Sequence, residues 1–258
     1  MRNKISGVLA VCLFLGLLPL AMNGQAPEKR YQMLAVSDEV VKPSMKTEYY
    51  EAAKKWVAFM KEQEFSYPIS TIWTSDNHVY WIMPIESYAD LDKILAEMNK
   101  IGEQFPDEYK AVAEGFKETY ETTRLGVYAL DYKYSMFAEE EGDTEERNFF
   151  FLDFMYFKPG YDAEIAKIFD ESIAYMADKK ILQTWLAYWG WMGTDGPVLV
   201  SIATAKNAIE FYEENAKAWQ ALGEEAGKIK RKMMKYVTKQ EQKTGWFQKE
   251  LSYTPVKK

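Results

Sequence analysis

The chain has 258 residues, 16% of them aromatic, and a formal net charge of −7 from 32 basic and 39 acidic side chains. An acidic surface excludes nucleic acid and anionic membranes as partners, because both are bound by neutralising phosphate charge with lysine and arginine. A single cysteine, Cys12, and a single histidine, His78, exclude a disulfide framework and most zinc and thiol chemistry.

The first 26 residues read as an export signal. Arg2 and Lys4 give a positive start, residues 8–20 are apolar apart from breaks at Gly16 and Pro19, and Gly24, Gln25 and Ala26 give a small-residue cleavage site. The apolar run is shorter than the roughly 20 residues that span a bilayer, so no stable membrane insertion is expected once cleavage after Ala26 has occurred. Val11 stands where lipidation of Cys12 would need a small residue. The mature chain would carry 30 basic and 39 acidic residues, a net −9, and no cysteine, so it must be stabilised by packing. Its compartment would be the periplasm or the extracellular medium.

The rest of the chain states one pattern twice, in residues 27–135 and 148–258. Each half opens with a strand that runs into Lys-Pro, residues 31–41 before Lys42-Pro43 and residues 149–157 before Lys158-Pro159. The second of these is apolar at nearly every position and must be covered on both sides. An amphipathic helix follows in each half, with core stripes Tyr49, Ala53, Trp56, Val57, Met60 and Ile165, Ile168, Phe169, Ile173, Met176. Ser44 and Asp162 are the expected N-caps.

Hairpins come next, residues 69–74 and 79–85 around Ser75 to His78, and residues 182–192 and 198–203 around Gly193 to Pro197. Ser87, with Asp90 three residues on, and Thr204 then open long helical stretches whose apolar positions are Leu91, Ile94, Leu95, Met98 and Ile209, Tyr212, Ala216, Trp219. Pro106 splits the first stretch into two helices, and the second runs on through Ile229, Met233 and Val237. Final strands are expected at 126–134 and 245–253. Between the halves, residues 136–147 hold six carboxylates with almost no apolar content and read as a linker; an EF-hand's alternating ligand spacing is absent.

Strand, helix, strand, strand, helix, strand is the order of the ferredoxin-like unit. The expected fold is therefore α+β: two tandem ferredoxin-like (β-α-β-β-α-β) repeats with an extra helix, their antiparallel sheets packed face to face as an internal pseudo-dimer within a monomer. The element order, the aromatic strands and the tandem arrangement resemble the dimeric α+β barrel superfamily, whose members include antibiotic-biosynthesis-type monooxygenases, NIPSNAP-like proteins, haem-degrading enzymes and chlorite-dismutase-like proteins. The resemblance covers nearly all of the mature chain and rests on pattern rather than on a signature motif. It implies a cavity between paired sheets, used in some members for haem or aromatic polyketides.

Haem-binding members hold iron through a histidine, and here the only one, His78, falls in a hairpin turn, so no cofactor is expected. No Gly-x-Ser-x-Gly elbow or phosphate-binding glycine loop is present. Asp153 breaks the local rule instead. Alternation puts it with Phe149, Phe151, Met155 and Phe157, while Phe150, Leu152, Phe154 and Tyr156 take the other face. If the bulkier set packs on helices, Asp153 points into the space between the sheets, where it could act as a raised-pKa base or bind a polar ligand group. A structural hydrogen bond across the sheet to Thr, Tyr or Trp is the plainer alternative. Thr184 and Tyr188, in the aromatic run of residues 184–191, and Trp73 and Trp81 in the first half are the expected ligand-lining residues. The expected function is an exported small-molecule-binding or interaction protein with a small apolar or aromatic ligand. The alternative is a cofactor-free monooxygenase-like enzyme with Asp153 as its base.

Overall fold

The computed structural model describes residues 30–137, 147–181 and 183–255. The export segment, residues 138–146 of the acidic stretch and Leu182 lie outside the described residues, and so do the expectations that fall on them.

The elements in chain order are β1 (Tyr31–Val41), α1 (Lys46–Glu62), β2 (Ser70–Thr74), β3 (His78–Ile85), α2 (Ala89–Gln104), α3 (Pro106–Gly115), β4 (Tyr120–Asp131), β5 (Phe149–Phe157), α4 (Asp162–Asp178), β6 (Leu186–Met192), β7 (Val198–Ala205), α5 (Ala208–Met234) and β8 (Val237–Phe247). All eight strands form one closed barrel in the order β1-β3-β2-β8-β5-β7-β6-β4, every pairing antiparallel.

This corrects the expectation of two separate sheets stacked face to face. The strands that would have been bare edges pair with each other, β2 with β8 and β4 with β6, so the wall has no free edge. The β2·β8 seam is short, three residue pairs from Ile72↔Phe247 to Thr74↔Gly245, and an isolated bridge Ile69↔Tyr253 extends it. A side chain at Gly245 would come within 2.8 Å of the Trp73 carbonyl, so the close approach of the two strands requires glycine there. At the other seam Gly193, at φ +70°, turns with its α-carbon against β4; a Cβ there would meet the Leu125 carbonyl at 2.2 Å.

The apolar inner face is shared by both halves, with Leu34, Val36, Ile72, Tyr80, Ile82, Leu130, Leu152, Phe154, Leu186, Tyr188, Val198 and Val200 in one buried cluster. On the outside, α1, α2 and α3 cover the first half around Tyr49, Met60, Phe65 and Trp81. α4 and α5 cover the second half around two separate clusters, Phe157–Ile168–Phe169–Met233 and Phe149–Ala203–Phe211.

Several local expectations change. β4 begins at Tyr120 and β8 at Val237, each several residues earlier than the apolar pattern placed it, because their first stretches, Glu121 to Arg124 and Thr238 to Lys243, are polar. Ser44 lies inside a 3₁₀ turn at Pro43–Met45, and Asp162 is the first helical residue of α4 rather than its cap. The acidic capping box at Ser87 is formed, the Asp90 carboxylate accepting from the Ser87 and Glu86 amides at 2.9 and 2.8 Å. In the second half the cap is Asn207, not Thr204. Ile209 is 72% exposed and Tyr212 and Trp219 are also exposed; α5 turns Phe211, Leu222, Ala226, Ile229 and Met233 inward instead. It is broken at Gly223, which sits at φ +62°.

Candidate functional site: a buried carboxylate beneath two helices

Along β5 the side chains alternate as the sequence implies, and it is the Asp153 face that meets the helices. Phe150, Leu152, Phe154 and Tyr156 point into the barrel, while Phe149, Phe151, Asp153, Met155 and Phe157 lie under α4 and α5. Asp153 therefore does not enter the space between the inner sheet faces. Aliphatic side chains and rings from both halves occupy most of the barrel interior, Tyr80 stacking on Phe154 with centroids 6.3 Å apart.

The row of residues that crosses the second half at Asp153 runs Gln242, Asp153, Ser201, Ala187 on β8, β5, β7 and β6. None of these is a large apolar residue, and a cavity of about 190 Å³ opens between the wall and the helices, with Asp153 the member of the row that lines it. Phe169, Ile173 and Met176 of α4, and Trp219, Leu222, Ala226, Ile229 and Met233 of α5, form its roof; Tyr134, Met136 and Trp185 close one side. The Tyr175 hydroxyl donates to the Leu222 carbonyl at 2.7 Å and ties α4 to α5 one residue before the Gly223 break.

Asp153 is only 8% exposed. The Gln240 side-chain amide donates to both of its oxygens at 2.8 Å. Burial pushes the Asp153 carboxyl above the usual carboxylate range, an effect opposed by hydrogen bonds from Gln240 and Gln242 and by the charge of Lys230. Its partners are thus amides, neither the Thr, Tyr or Trp of the plainer expectation nor a paired cation. Chemically the site offers a carboxyl group, prone to hold or accept a proton, at the floor of a mostly apolar space.

The other expected site residues are not gathered here. Trp73 and Trp81 face the first-half helices: Trp73 packs edge-on to Tyr49 at 5.4 Å, and the Trp81 indole N–H donates to the Tyr49 hydroxyl at 2.9 Å. Tyr188 points into the barrel, and Thr184 precedes β6, half-buried. Gln240, Lys230 and Trp219 line the cavity without having been singled out for it. Gln240 could have been found by pairing β8 to β5, had the polar strand been recognised.

Haem does not fit this site. No histidine lines the cavity, its volume is well below the roughly 300–1,000 Å³ of pockets for drug-sized ligands, and His78 lies on β3, where its Nδ1 is 2.7 Å from Asp38 and its ring stacks on Tyr80. Among the described residues no three His, Cys, Asp or Glu side chains cluster as metal ligands, and no helix is long and apolar enough to cross a membrane.

No known protein-family profile matches the chain, and neither does any curated protein. Solved structures do. An anthrone oxidase-like protein superposes with a TM-score of 0.57 at 14% identity, covering 86% of this chain and 92% of its own. A protein provisionally assigned as a monooxygenase from Lactobacillus acidophilus gives 0.51 at 11% identity, over 87% and 96%. At these identities the likeness is one of fold, an α+β fold built on a closed antiparallel eight-stranded barrel.

Proposed function

We propose that this protein binds a small, mostly apolar molecule in the cavity beneath α4 and α5, with one hydrogen-bond donor of the ligand seated on Asp153. One observation carries the reading: a carboxylate 8% exposed, answered by the Gln240 amide rather than by a cation, forms the floor of an otherwise apolar space. Even with these hydrogen bonds burial of the carboxylate remains unfavourable, as its raised pKa shows, so it is costly to a fold that uses it only as structure. The volume, about 190 Å³, is somewhat larger than the ~150 Å³ engineered cavity that takes up benzene, so a ligand of one or two rings is the right size. Titration of the whole protein with 2-naphthol and its methyl ether tests this. The naphthol should bind more tightly, and Asp153→Asn should shrink the difference. Equal binding of the two in the unaltered protein would overturn the reading.

A second reading makes the same site catalytic. Its support is the raised pKa of Asp153, which suits a base, together with the names of the solved structures above. Asp153 would take the proton of an acidic O–H or C–H, and dioxygen would oxidise the resulting anion without a cofactor. Oxygen uptake in the presence of phenols, lost in Asp153→Asn, would establish this reading, and its absence across a phenol panel would leave binding alone.

We further propose that the halves are tandem ferredoxin-like repeats forming a pseudo-dimer in a monomeric, exported chain. The support is the recurring strand order, β4-β1-β3-β2 beside β8-β5-β7-β6, and the N-terminal pattern of residues 1–26. An exported product that begins at Pro27 and sediments as one chain is the expected result.

A further inference from the structure

The barrel interior is also incompletely filled. A cavity of about 110 Å³ lies inside the wall and shares no lining residue with the cavity at Asp153. Its walls are aliphatic and aromatic, Leu152, Val200 and Tyr188 among them, and among the described residues the one charged side chain that lines it is Arg147.

Arg147 is held at one edge only. Its Nη2 donates to the Thr204 carbonyl at 2.5 Å and lies 3.3 Å from a Glu214 oxygen on α5. Its Nε is buried and has no acceptor. A buried N–H without a partner is destabilising, and a guanidinium keeps its charge and offers its donors in a planar fork. The acceptor that satisfies such an edge best is a carboxylate, through short charge-assisted hydrogen bonds. Glu214 is partly exposed, so its pairing with Arg147 is screened and leaves the buried edge positive.

We propose that the barrel interior is a second, independent binding site, for a short-chain monocarboxylate whose carboxylate meets Arg147 and whose hydrocarbon fills the space against Leu152, Val200 and Tyr188. Size sets the class. The volume falls below the ~150 Å³ that accommodates benzene in an engineered cavity, which favours a branched chain of up to about five carbons over an aromatic ring. A single guanidinium, with no second cation among the described residues that line the cavity, suits one negative charge rather than a phosphate.

Calorimetric titration of the whole chain with 2-methylpropanoate and 3-methylbutanoate, and with methyl 3-methylbutanoate as control, tests the site. An acid should bind and raise the melting temperature, while the ester should bind about tenfold or more weakly, as loss of a charge-assisted bond implies. Arg147→Met should abolish the preference for acid over ester, and Val200→Phe should remove acid binding. Neither substitution should change 2-naphthol binding at Asp153, so failure of one site is distinguishable from failure of the other. No acid binding at millimolar concentration, equal affinity for acid and ester, or acid binding that survives Val200→Phe in the folded protein would each overturn the proposal. If either variant does not fold, the acid–ester comparison on the unaltered chain decides, together with ligand-induced shifts of the Tyr188 ring resonances.

Discussion

The two halves of the barrel carry the same strand order but treat the layer beneath their helices in opposite ways. In the first half the row Leu125, Ser37, Trp81, Thr71 crosses β4, β1, β3 and β2 where Gln242, Asp153, Ser201, Ala187 crosses the second. Trp81 stands where Ser201 does. Its indole fills the space under α1 and, with the Tyr49 hydroxyl, answers Glu39, a half-buried carboxylate of that half. Partial burial raises the Glu39 carboxyl too, opposed by hydrogen bonds from Tyr49 and Trp81. One side thus holds a carboxylate against a solid core, and the other holds a carboxylate beside empty volume. The difference teaches that a buried acid marks a site here only where its surroundings also leave room for something else.

Four substitutions sharpen or break that contrast. The largest effect is expected from Trp81→Ser, which would empty the first-half core and strip Glu39 and Tyr49 of a partner, at a cost of about 3–5 kcal/mol of stability. Urea unfolding measures it, and a loss below about 1 kcal/mol would mean that the first half is not solidly packed. Next is a matched pair. Ala53, fully buried under α1, should tolerate leucine poorly, at about 1–3 kcal/mol from overpacking, whereas Ala226, which faces the cavity, should accept leucine within about 1 kcal/mol. Equal penalties in thermal unfolding would deny the difference in free volume.

The smallest effect concerns pH. A carboxyl whose folded pKa lies above its unfolded value binds its proton more readily in the fold, so stability falls as pH rises from the ordinary carboxylate range through the folded pKa. Asp153→Asn should therefore be more stable than the parent at neutral pH and should show a shallower decline across that window, while Glu39 still contributes its part. A parent and variant with parallel pH profiles would show that Asp153 carries no such strain.

Much of this was legible in the residues, and what was not has physical causes. β5, apolar at every position but Asp153, could be nothing but a covered strand, and the stripe Tyr49, Ala53, Val57, Met60 is buried in α1 as its spacing implies. β8 was hidden because it contributes no apolar side chain to the inner cluster: opposite Leu152 and Phe150 it places Lys243, ion-paired to Asp76, and Gly245. Asp153 stood out at once, since alternation names the residues that share a face. Alternation is silent on which face meets the helices, and that choice depended on apolar side chains arriving from six other strands. The exposed stripe of α5 misled for a related reason: spacing shows that a helix has an apolar side, while the position of Gly223 and the second stripe through Phe211 and Ile229 decide which side turns inward.

The short β2·β8 seam has a consequence for how this molecule can be made and unmade. Its three residue pairs join β8 to a strand of the first half, and Leu251 just beyond it is fully buried in the first-half core. Ring closure must therefore await the synthesis of β8, and until then β2 offers unpaired backbone groups to any strand that arrives first. A terminal strand from another copy would serve as well as its own, so crowded refolding should yield interlocked pairs, and removal of residues after 244 should turn a self-contained ring into a chain that seeks partners.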